Sequence, residues 1–184
     1  NVISTSSGED IIFAGDGMDT ISPGLGKDII DLSEDFVSTD ILILAANDSV
    51  GNSNSVYGFS QVGSPDIINF ENFNFAEVTF LPLLKSSYIP FGYVDDCLVR
   101  IFGENLNNRT DLEQHLNSGG ILQNLKLTEN SSALFITAES QDTGEDQSMY
   151  IVKREDGYNH ISLLSQFYGN YLDIDNWSSD NFIF

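Results

Sequence analysis

Three segments repeat at a spacing of nine residues over the first 31 positions, and no other feature of the chain restricts its fold as much. They read Thr5-Ser6-Ser7-Gly8-Glu9-Asp10-Ile11-Ile12-Phe13, Ala14-Gly15-Asp16-Gly17-Met18-Asp19-Thr20-Ile21-Ser22 and Pro23-Gly24-Leu25-Gly26-Lys27-Asp28-Ile29-Ile30-Asp31. Asp10, Asp19 and Asp28 fall in step; Ile12, Ile21 and Ile30 follow two residues later, and Gly8, Gly17 and Gly26 precede by two. Asn1 and Ile3 fit the same frame. A unit this short has room for a strand of about three residues and a loop of about six, half a coil of a parallel roll. Its isoleucines point inward, and glycine gives the loops positive φ without a Cβ penalty. Successive units then lie on opposite sides, so that Asp10 stacks over Asp28 and Asn1 over Asp19.

Neighbouring strands lie about 4.8 Å apart, and two carboxylates at that distance repel by about 3 kcal/mol at an effective dielectric near 20. A positive charge belongs between them. A hard cation with oxygen ligands at about 2.3 to 2.6 Å fits the gap, and calcium's flexible shell suits it better than magnesium's octahedron.

Gly15-Asp16-Gly17-Met18-Asp19-Thr20-Ile21 and Gly24-Leu25-Gly26-Lys27-Asp28-Ile29-Ile30 resemble the calcium-binding nonapeptide of repeats-in-toxin (RTX) proteins, Gly-Gly-x-Gly-x-Asp-x-apolar-x. Ser6, Ala14 and Pro23 depart from its glycines, and Ser33-Glu34-Asp35-Phe36-Val37 breaks the phase. The resemblance implies a calcium-binding β-roll over residues 1–45. Asp10, Asp19 and Asp28 would supply side-chain oxygens. The loops bearing Ser6, Gly8, Gly15, Gly17, Gly24 and Gly26 would supply carbonyls. Asp16 either adds a side-chain ligand or only turns the chain, and Asp40 either extends the ligand set or caps a strand start.

The charge is lopsided: 28 acidic residues face 7 basic ones, for a net charge of −21 over 184 residues. That balance excludes nucleic acid as a direct partner, since no basic patch can neutralise phosphates. Hydrophobic content of 41% is ordinary for a globular chain. A single cysteine, Cys97, leaves no intramolecular disulfide, which suits a protein exported unfolded and folded outside by calcium as well as one from a reducing compartment. No apolar run spans a membrane and no signal peptide opens the chain, which reads as the C-terminal part of something longer.

Residues 46–184 read as a β-rich cap with one short helix. Asp40-Ile41-Leu42-Ile43-Leu44 is a buried strand, residues 47–55 a polar loop, and Asp66-Ile67-Ile68-Asn69-Phe70 repeats the tail of a nonapeptide without its glycines. Phe70, Phe73, Phe75 and Phe80 are expected to pack a core. Two prolines leave residues 81–93 an irregular crossing. Strands are expected over 97–102, 133–137, 149–153 and 161–167, with a turn at Glu155-Asp156-Gly157. A helix is expected over 110–116, capped by Thr110 with Glu113 and ended at Gly119. The acidic stretch 139–146 reads as a solvated hairpin loop, because Gln147 and Lys153 stand where an EF-hand needs glycine and glutamate.

No catalytic constellation emerges. His115 and His160 stand apart without a zinc motif, there is no Gly-x-Ser-x-Gly elbow, and Asp95-Asp96 beside Cys97 raise a thiol pKa rather than lower it. The expectation is a non-catalytic module that binds calcium ions and couples binding to folding. Downstream of the nonapeptides, Asp175-Asn176-Trp177-Ser178-Ser179-Asp180-Asn181-Phe182-Ile183-Phe184 resembles the C-terminal targeting region read by bacterial type I secretion machinery; alone, it is a last core strand. The location implied is extracellular or the cell surface. Two alternatives stand beside this: a recognition module of a surface-layer protein or adhesin holding glycan or another copy, and the tail of a secreted hydrolase whose active site lies upstream.

Overall fold

The computed structural model describes residues 1–45, 53–71, 73, 75, 78–82, 84–85, 92–103, 106, 108–117, 120, 122–139, 144, 146–169 and 172–184. Among them the molecule is mainly β, with one α-helix. The first seven strands are β1 (Val2–Ser4), β2 (Ile11–Phe13), β3 (Thr20–Ser22), β4 (Ile29–Asp31), β5 (Ile41–Ala45), β6 (Asn54–Tyr57) and β7 (Ile67–Glu71). They alternate between two open sheets, odd strands in one and even strands in the other, every pairing parallel.

β2, β3 and β4 each bury only their middle residue, which belongs to an apolar column running through its sheet. In the first sheet Ile3, Ile21, Leu42 and Ile68 lie in register; in the second, Ile12, Ile30 and Val56. All but Ile3 are nearly or fully buried, and each contributes about 2 kcal/mol of transfer free energy. The register holds although the spacing grows from 18 residues (Ile3 to Ile21) to 21 (Ile21 to Leu42) and 26 (Leu42 to Ile68). The phase break at residues 33–37 is therefore absorbed in a longer loop and not in a strand. Only the inward column has to keep step.

Later elements are β8 (Thr79–Phe80), β9 (Leu84–Lys85), β10 (Gly92–Tyr93), β11 (Cys97–Phe102), α1 (Arg109–Leu116), β12 (Leu125–Lys126), β13 (Ser132–Ala138), β14 (Gln147–Glu155), β15 (Tyr158–Tyr168) and β16 (Phe182–Ile183). β15 adds to β6 in parallel with Phe167 beside Val56, then pairs with β14 and through it β13 in antiparallel fashion. β11 follows β13 in parallel, and β8 and β9 pair with β11. β16 returns to the first sheet beside β7, with Phe182 facing Ile68. Both sheets continue past residue 45, β4 pairing with β6 and β5 with β7, and one hydrophobic cluster runs from Ile12 to Phe182.

The central cap strands are apolar on both faces because both are covered. Leu98, Leu134 and Ile136 face the first cluster; Val99, Phe135 and Val152 face a second, which Leu112 and Leu116 of α1 complete. The β14–β15 hairpin turns on Asp156 and Gly157, both at positive φ. Phe70, Phe73 and Phe75 pack edge-on and stacked around one another and join the first cluster, as the phenylalanine spacing predicts.

Several expectations are corrected. The cap of α1 is Asn108, in extended conformation with its side chain accepting the Asp111 N–H at 2.9 Å, while Thr110 already lies inside the helix. The exit assigned to Gly119 lies outside the described residues, as do most of residues 47–55 and much of the acidic stretch 139–146. Asn54 and Ser55 belong to β6 and not to a loop, and the proline-bearing crossing 81–93 contains β9 and β10. No helix is long and apolar enough to cross a membrane among the described residues.

Candidate metal centre

Each strand of the paired stack is entered through an acid or amide, and these residues form two columns. Asp10 and Asp28 precede β2 and β4 and Asn54 opens β6; Asn1, Asp19, Asp40 and Asp66 precede β1, β3, β5 and β7. In both columns the side chain of one coil accepts the backbone N–H of its counterpart in the coil before. Asp28 Oδ1 accepts from Asp10 at 3.0 Å and Asn54 Oδ1 from Asp28 at 3.1 Å. Asp40 Oδ1 accepts from Asp19 at 2.9 Å and Asp66 Oδ1 from Asp40 at 2.8 Å. The carboxylates thus extend each sheet by one rung.

The second oxygens separate these residues. Asp28 Oδ2 and Asp40 Oδ2 are buried and have no hydrogen-bond partner. Asp19 Oδ2 has none either, and its Oδ1 lies 2.5 Å from the Asn1 ammonium in an ion pair without hydrogen-bond alignment. Asp66 differs: its Oδ2 accepts the Ser60 N–H at 2.7 Å, so both oxygens are satisfied and the column closes there. Burial pushes the Asp28 carboxyl up against the pull of the Asp10 N–H, and the Asp10 charge adds to the rise. Burial likewise carries Asp40 up to about 6, opposed by the Asp19 N–H and reinforced by the charges of Glu34 and Asp19. Asp66 reaches about 7, burial again outweighing its two backbone donors. An uncompensated carboxylate in such a place is costly, and a cation removes the cost.

The loops flanking the columns are built in two ways. Loop 23–28 lies backbone to backbone on loop 5–10: the Leu25 N–H donates to the Ser6 carbonyl and the Gly8 N–H to the Leu25 carbonyl, both at 2.8 Å. A Cβ on Gly24 would fall 1.9 Å from the Ser6 oxygen, and one on Gly26 1.7 Å from the Gly8 oxygen, so only glycine permits this stacking. On the opposite flank Gly15 and Gly17 face open space. There the Gly17 N–H donates to Glu34 Oε1 at 3.1 Å and the Asp35 N–H to Asp16 Oδ1 at 2.9 Å, so acidic side chains bind the longer loop 32–40 to loop 14–19.

The expected ligands therefore fall into two groups. Asp10, Asp28, Ser6, Gly8, Gly24 and Gly26 share one flank; Asp19, Asp40, Asp16, Gly15 and Gly17 share the other. Among the described residues no three or more His, Cys, Asp or Glu side chains are grouped to hold a metal ion, so any ion here must draw on backbone carbonyls. The donor set that remains, carboxylate and carbonyl oxygen, is that of a hard cation. Sequence reading missed Asp66, Asn54 and Glu34. The Asp66-Ile67-Ile68 echo of a repeat carried the signal for the first; the broken phase hid the other two.

Outside the stack, Cys97 is buried, and that burial with the charges of Asp95 and Asp96 pushes its thiol up. His115 lies in the last turn of α1 and His160 is exposed on β15. The terminal segment is packed into the fold. Arg100 Nη1 donates to the carbonyls of Asp175 and Trp177, both at 2.9 Å, and the Trp177 ring stacks on Phe59 and Phe182. Asn181 Nδ2 donates to the Asp66 carbonyl at 3.2 Å, which ties the tail to the end of an acid column. Searches against family models, curated proteins and solved structures give no match to this chain.

Proposed function

We propose that the paired stack is a parallel β-roll that binds calcium, and that ion binding drives the folding of an exported, non-catalytic module. The buried, unpartnered Oδ2 atoms of Asp28 and Asp40, each in a column with another aspartate one coil away, carry this reading. Asp10 with Asp28, and Asp19 with Asp40, would hold the ions, with carbonyls of the adjoining loops completing each shell. Calcium when bound supplies the counter-charge that the acid columns lack. The chain's own residues supply the spacing, through the glycines of loop 23–28 and the aspartate-to-N–H rungs.

Folding and export are linked through the tail. Phe182 is buried and β16 is paired, so a secretion machine can read this segment only before it folds. Where calcium is scarce, repulsion along the columns keeps the stack open and the tail accessible. Outside the cell, ions close the stack and β16 docks beside β7. The stabilisation follows mass action, about 2.7 kcal/mol when free calcium stands at roughly a hundred times its dissociation constant.

The test is a calcium titration of the metal-stripped chain by calorimetry and far-ultraviolet circular dichroism, with magnesium as control and an Asp28→Asn, Asp40→Asn variant alongside. Asparagine keeps the acceptor for the rung and removes the charge. The expected result is a calcium-selective gain in β signal and melting temperature that the variant loses, while its metal-free form is at least as stable as the parent. No heat of binding and an unchanged melting temperature in the parent chain defeat the reading.

A further inference from the structure

The outward face of the even sheet consists of two rows that cross β2, β4, β6 and β15. Strand pairing sets Ile11, Ile29, Ser55 and Gln166 side by side in one row and Phe13, Asp31, Tyr57 and Tyr168 in the other. In a chain of 28 acidic and 7 basic residues, these positions hold a single charge, that of Asp31. Ile11, Phe13, Ile29 and Tyr57 are exposed, Phe13 at 72% and Tyr57 at 41%. Exposed apolar side chains that neighbour one another in register form a patch, and such patches mark interaction sites. The matching row of the odd sheet, Val2, Thr20, Ile41 and Ile67, carries no ring.

Tyr57 and Tyr168 stack with centroids 4.9 Å apart and planes 19° from parallel, which occupies one face of Tyr57 and leaves the other turned to the β4 side. Phe13 stands two strands away in the same row, about 9.6 Å at the usual strand spacing. That gap, floored by the short Asp31, admits one flat ring in van der Waals contact with Tyr57 on one side and Phe13 on the other, at about 4 Å from each. Asp31 Oδ1 accepts the Ser33 N–H at 3.0 Å, and its second oxygen has no protein partner among the described residues. Tyr168 Oη donates to Gln166 Oε1 at 3.1 Å, which leaves the Gln166 amide nitrogen as a donor. At the ends of β6 and β15 the row opens into a cleft of about 390 Å³, in the range of small-ligand sites. Tyr57, Tyr168, Phe59 and Leu172 give it apolar walls, Ser33 and Ser60 add hydroxyls, and no carboxylate or cation lines it among the described residues.

We propose that this strip and its cleft bind an uncharged, extended polysaccharide, a β-linked glucan chain laid across the strands. Such a chain offers flat C–H faces that pack on aromatic rings and hydroxyl edges that pair with a carboxylate, an amide and serine hydroxyls. An anionic polymer meets a net charge of −21, and so does a second copy of this chain, whereas an uncharged partner meets no such repulsion. A cationic partner finds only Asp31 here and denser acid on the loops of the stack. An extended chain follows the row from Phe13 to Tyr168; a coiled one touches a single ring. The proposal needs the stack folded but does not depend on what neutralises its acids.

The experiment titrates the full chain in excess calcium with cellohexaose, with its α-linked counterpart maltohexaose, with hexagalacturonate and with an uncharged glycine–serine hexapeptide, following amide chemical shifts. Circular dichroism confirms that each variant is folded. Cellohexaose should bind at least about tenfold more tightly than the other three, with shifts confined to residues 11–13, 29–33, 55–60 and 166–169. Tyr57→Ala and Phe13→Ala should each weaken it roughly tenfold, while Tyr57→Phe keeps the ring and most of the affinity. Tyr93→Ala, which removes an exposed ring away from the strip, should change nothing. No binding of cellohexaose, equal affinity for maltohexaose, or a Phe13→Ala or Tyr57→Ala chain that binds normally each overturns the proposal. So does a chain that dimerises in calcium and loses its dimers on Phe13→Ala, which assigns the face to a second copy. A chain that gains no stability from calcium yet binds cellohexaose defeats the calcium reading alone; one that responds to calcium and ignores the sugar defeats this proposal alone.

Discussion

The stack and the cap share a sheet but are held together by different means. In the stack, β2, β3 and β4 bury one side chain each, and Asp19 and Asp28, which precede β3 and β4, are buried with oxygens unpaired. In the cap, strands of seven to eleven residues bury side chains on both faces and are joined by an antiparallel hairpin. Burial per residue is therefore high in the cap, where the hydrophobic term suffices. It is low in the stack, where carboxylate desolvation opposes folding. The same sheet thus has one end held by its apolar packing and one whose buried carboxylates oppose folding.

The largest effects come from emptying each core. Phe135 is fully buried among cap strands, and Phe135→Ala should cost about 4 kcal/mol and unfold the molecule as a whole, with or without calcium. Ile30→Ala should cost about 3 kcal/mol in the stack, and excess calcium should recover part of that loss because the ion binds only the folded state. Chemical denaturation in chelator and in calcium separates the two. Equal calcium rescue of both variants would remove the distinction between the regions.

Next comes the loop backbone. Gly26→Ala places a methyl 1.7 Å from the Gly8 carbonyl at a φ of +144°, so loops 5–10 and 23–28 must part. Strain and displacement together should cost about 3 kcal/mol, and the calcium response of that flank should go with them. Gly17→Ala meets nothing within 4 Å and should cost only about 1 kcal/mol, from its φ of +99°. Calorimetry on the two variants reads both the stability and the number of ions bound.

Much of this was legible because the nine-residue period states which residues share a column. Ile12 with Ile30 and Asp10 with Asp28 follow from counting, and the structure sets them in register or in hydrogen-bond contact. Counting failed where the period failed. Asp40 to Asp66 is a 26-residue step, and nothing local in the sequence says that Asp66 ends a column with both oxygens satisfied. Asn108 was passed over for Thr110 because a Thr-x-x-Glu pattern is the stronger sequence signal, and the choice between them rests on the extended φ and ψ of residue 108. A cleft lined by Tyr93, Leu116, Leu125, Arg154 and Tyr158 joins residues from five elements and has no sequence signature.

Titration of the buried acids gives a smaller but directional effect. Asp40 and Asp66 have folded pKa values of about 6 and about 7, against an ordinary 3.8. A raised acid pKa means the folded state holds the proton more tightly. Between pH 4 and 7 the unfolded chain binds fewer protons, and metal-free stability must fall as pH rises. The loss should be on the order of 2 kcal/mol or more by pH 7 and complete only above it, once Asp66 has ionised in the folded state as well. Calcium bound at Asp40 should flatten or reverse the slope, leaving the part due to Asp66, which has no oxygen to offer an ion. Urea midpoints at pH 4, 5, 6 and 7, with and without calcium, measure both slopes. A metal-free chain that grows more stable toward pH 7 contradicts the burial of these carboxylates.

The smallest effect tests whether the two ends are energetically separate. Asn108 caps α1 on the second hydrophobic cluster, apart from the first cluster that lines the stack. Asn108→Ala removes one cap hydrogen bond and should cost about 1 kcal/mol. If calcium acts only on the stack, that cost is the same in chelator and in saturating calcium, to within about 0.5 kcal/mol, as expected of sites without shared partners. The first cluster offers a route for coupling, because Leu134 and Phe167 of the cap pack with Ile12 and Ile30 of the stack. A Phe167→Leu variant, on that route, should therefore change its cost with calcium where Asn108→Ala does not. A calcium-dependent cost at Asn108 would mean that ion binding reorganises the whole cap, and the division drawn between the two regions would have to be given up.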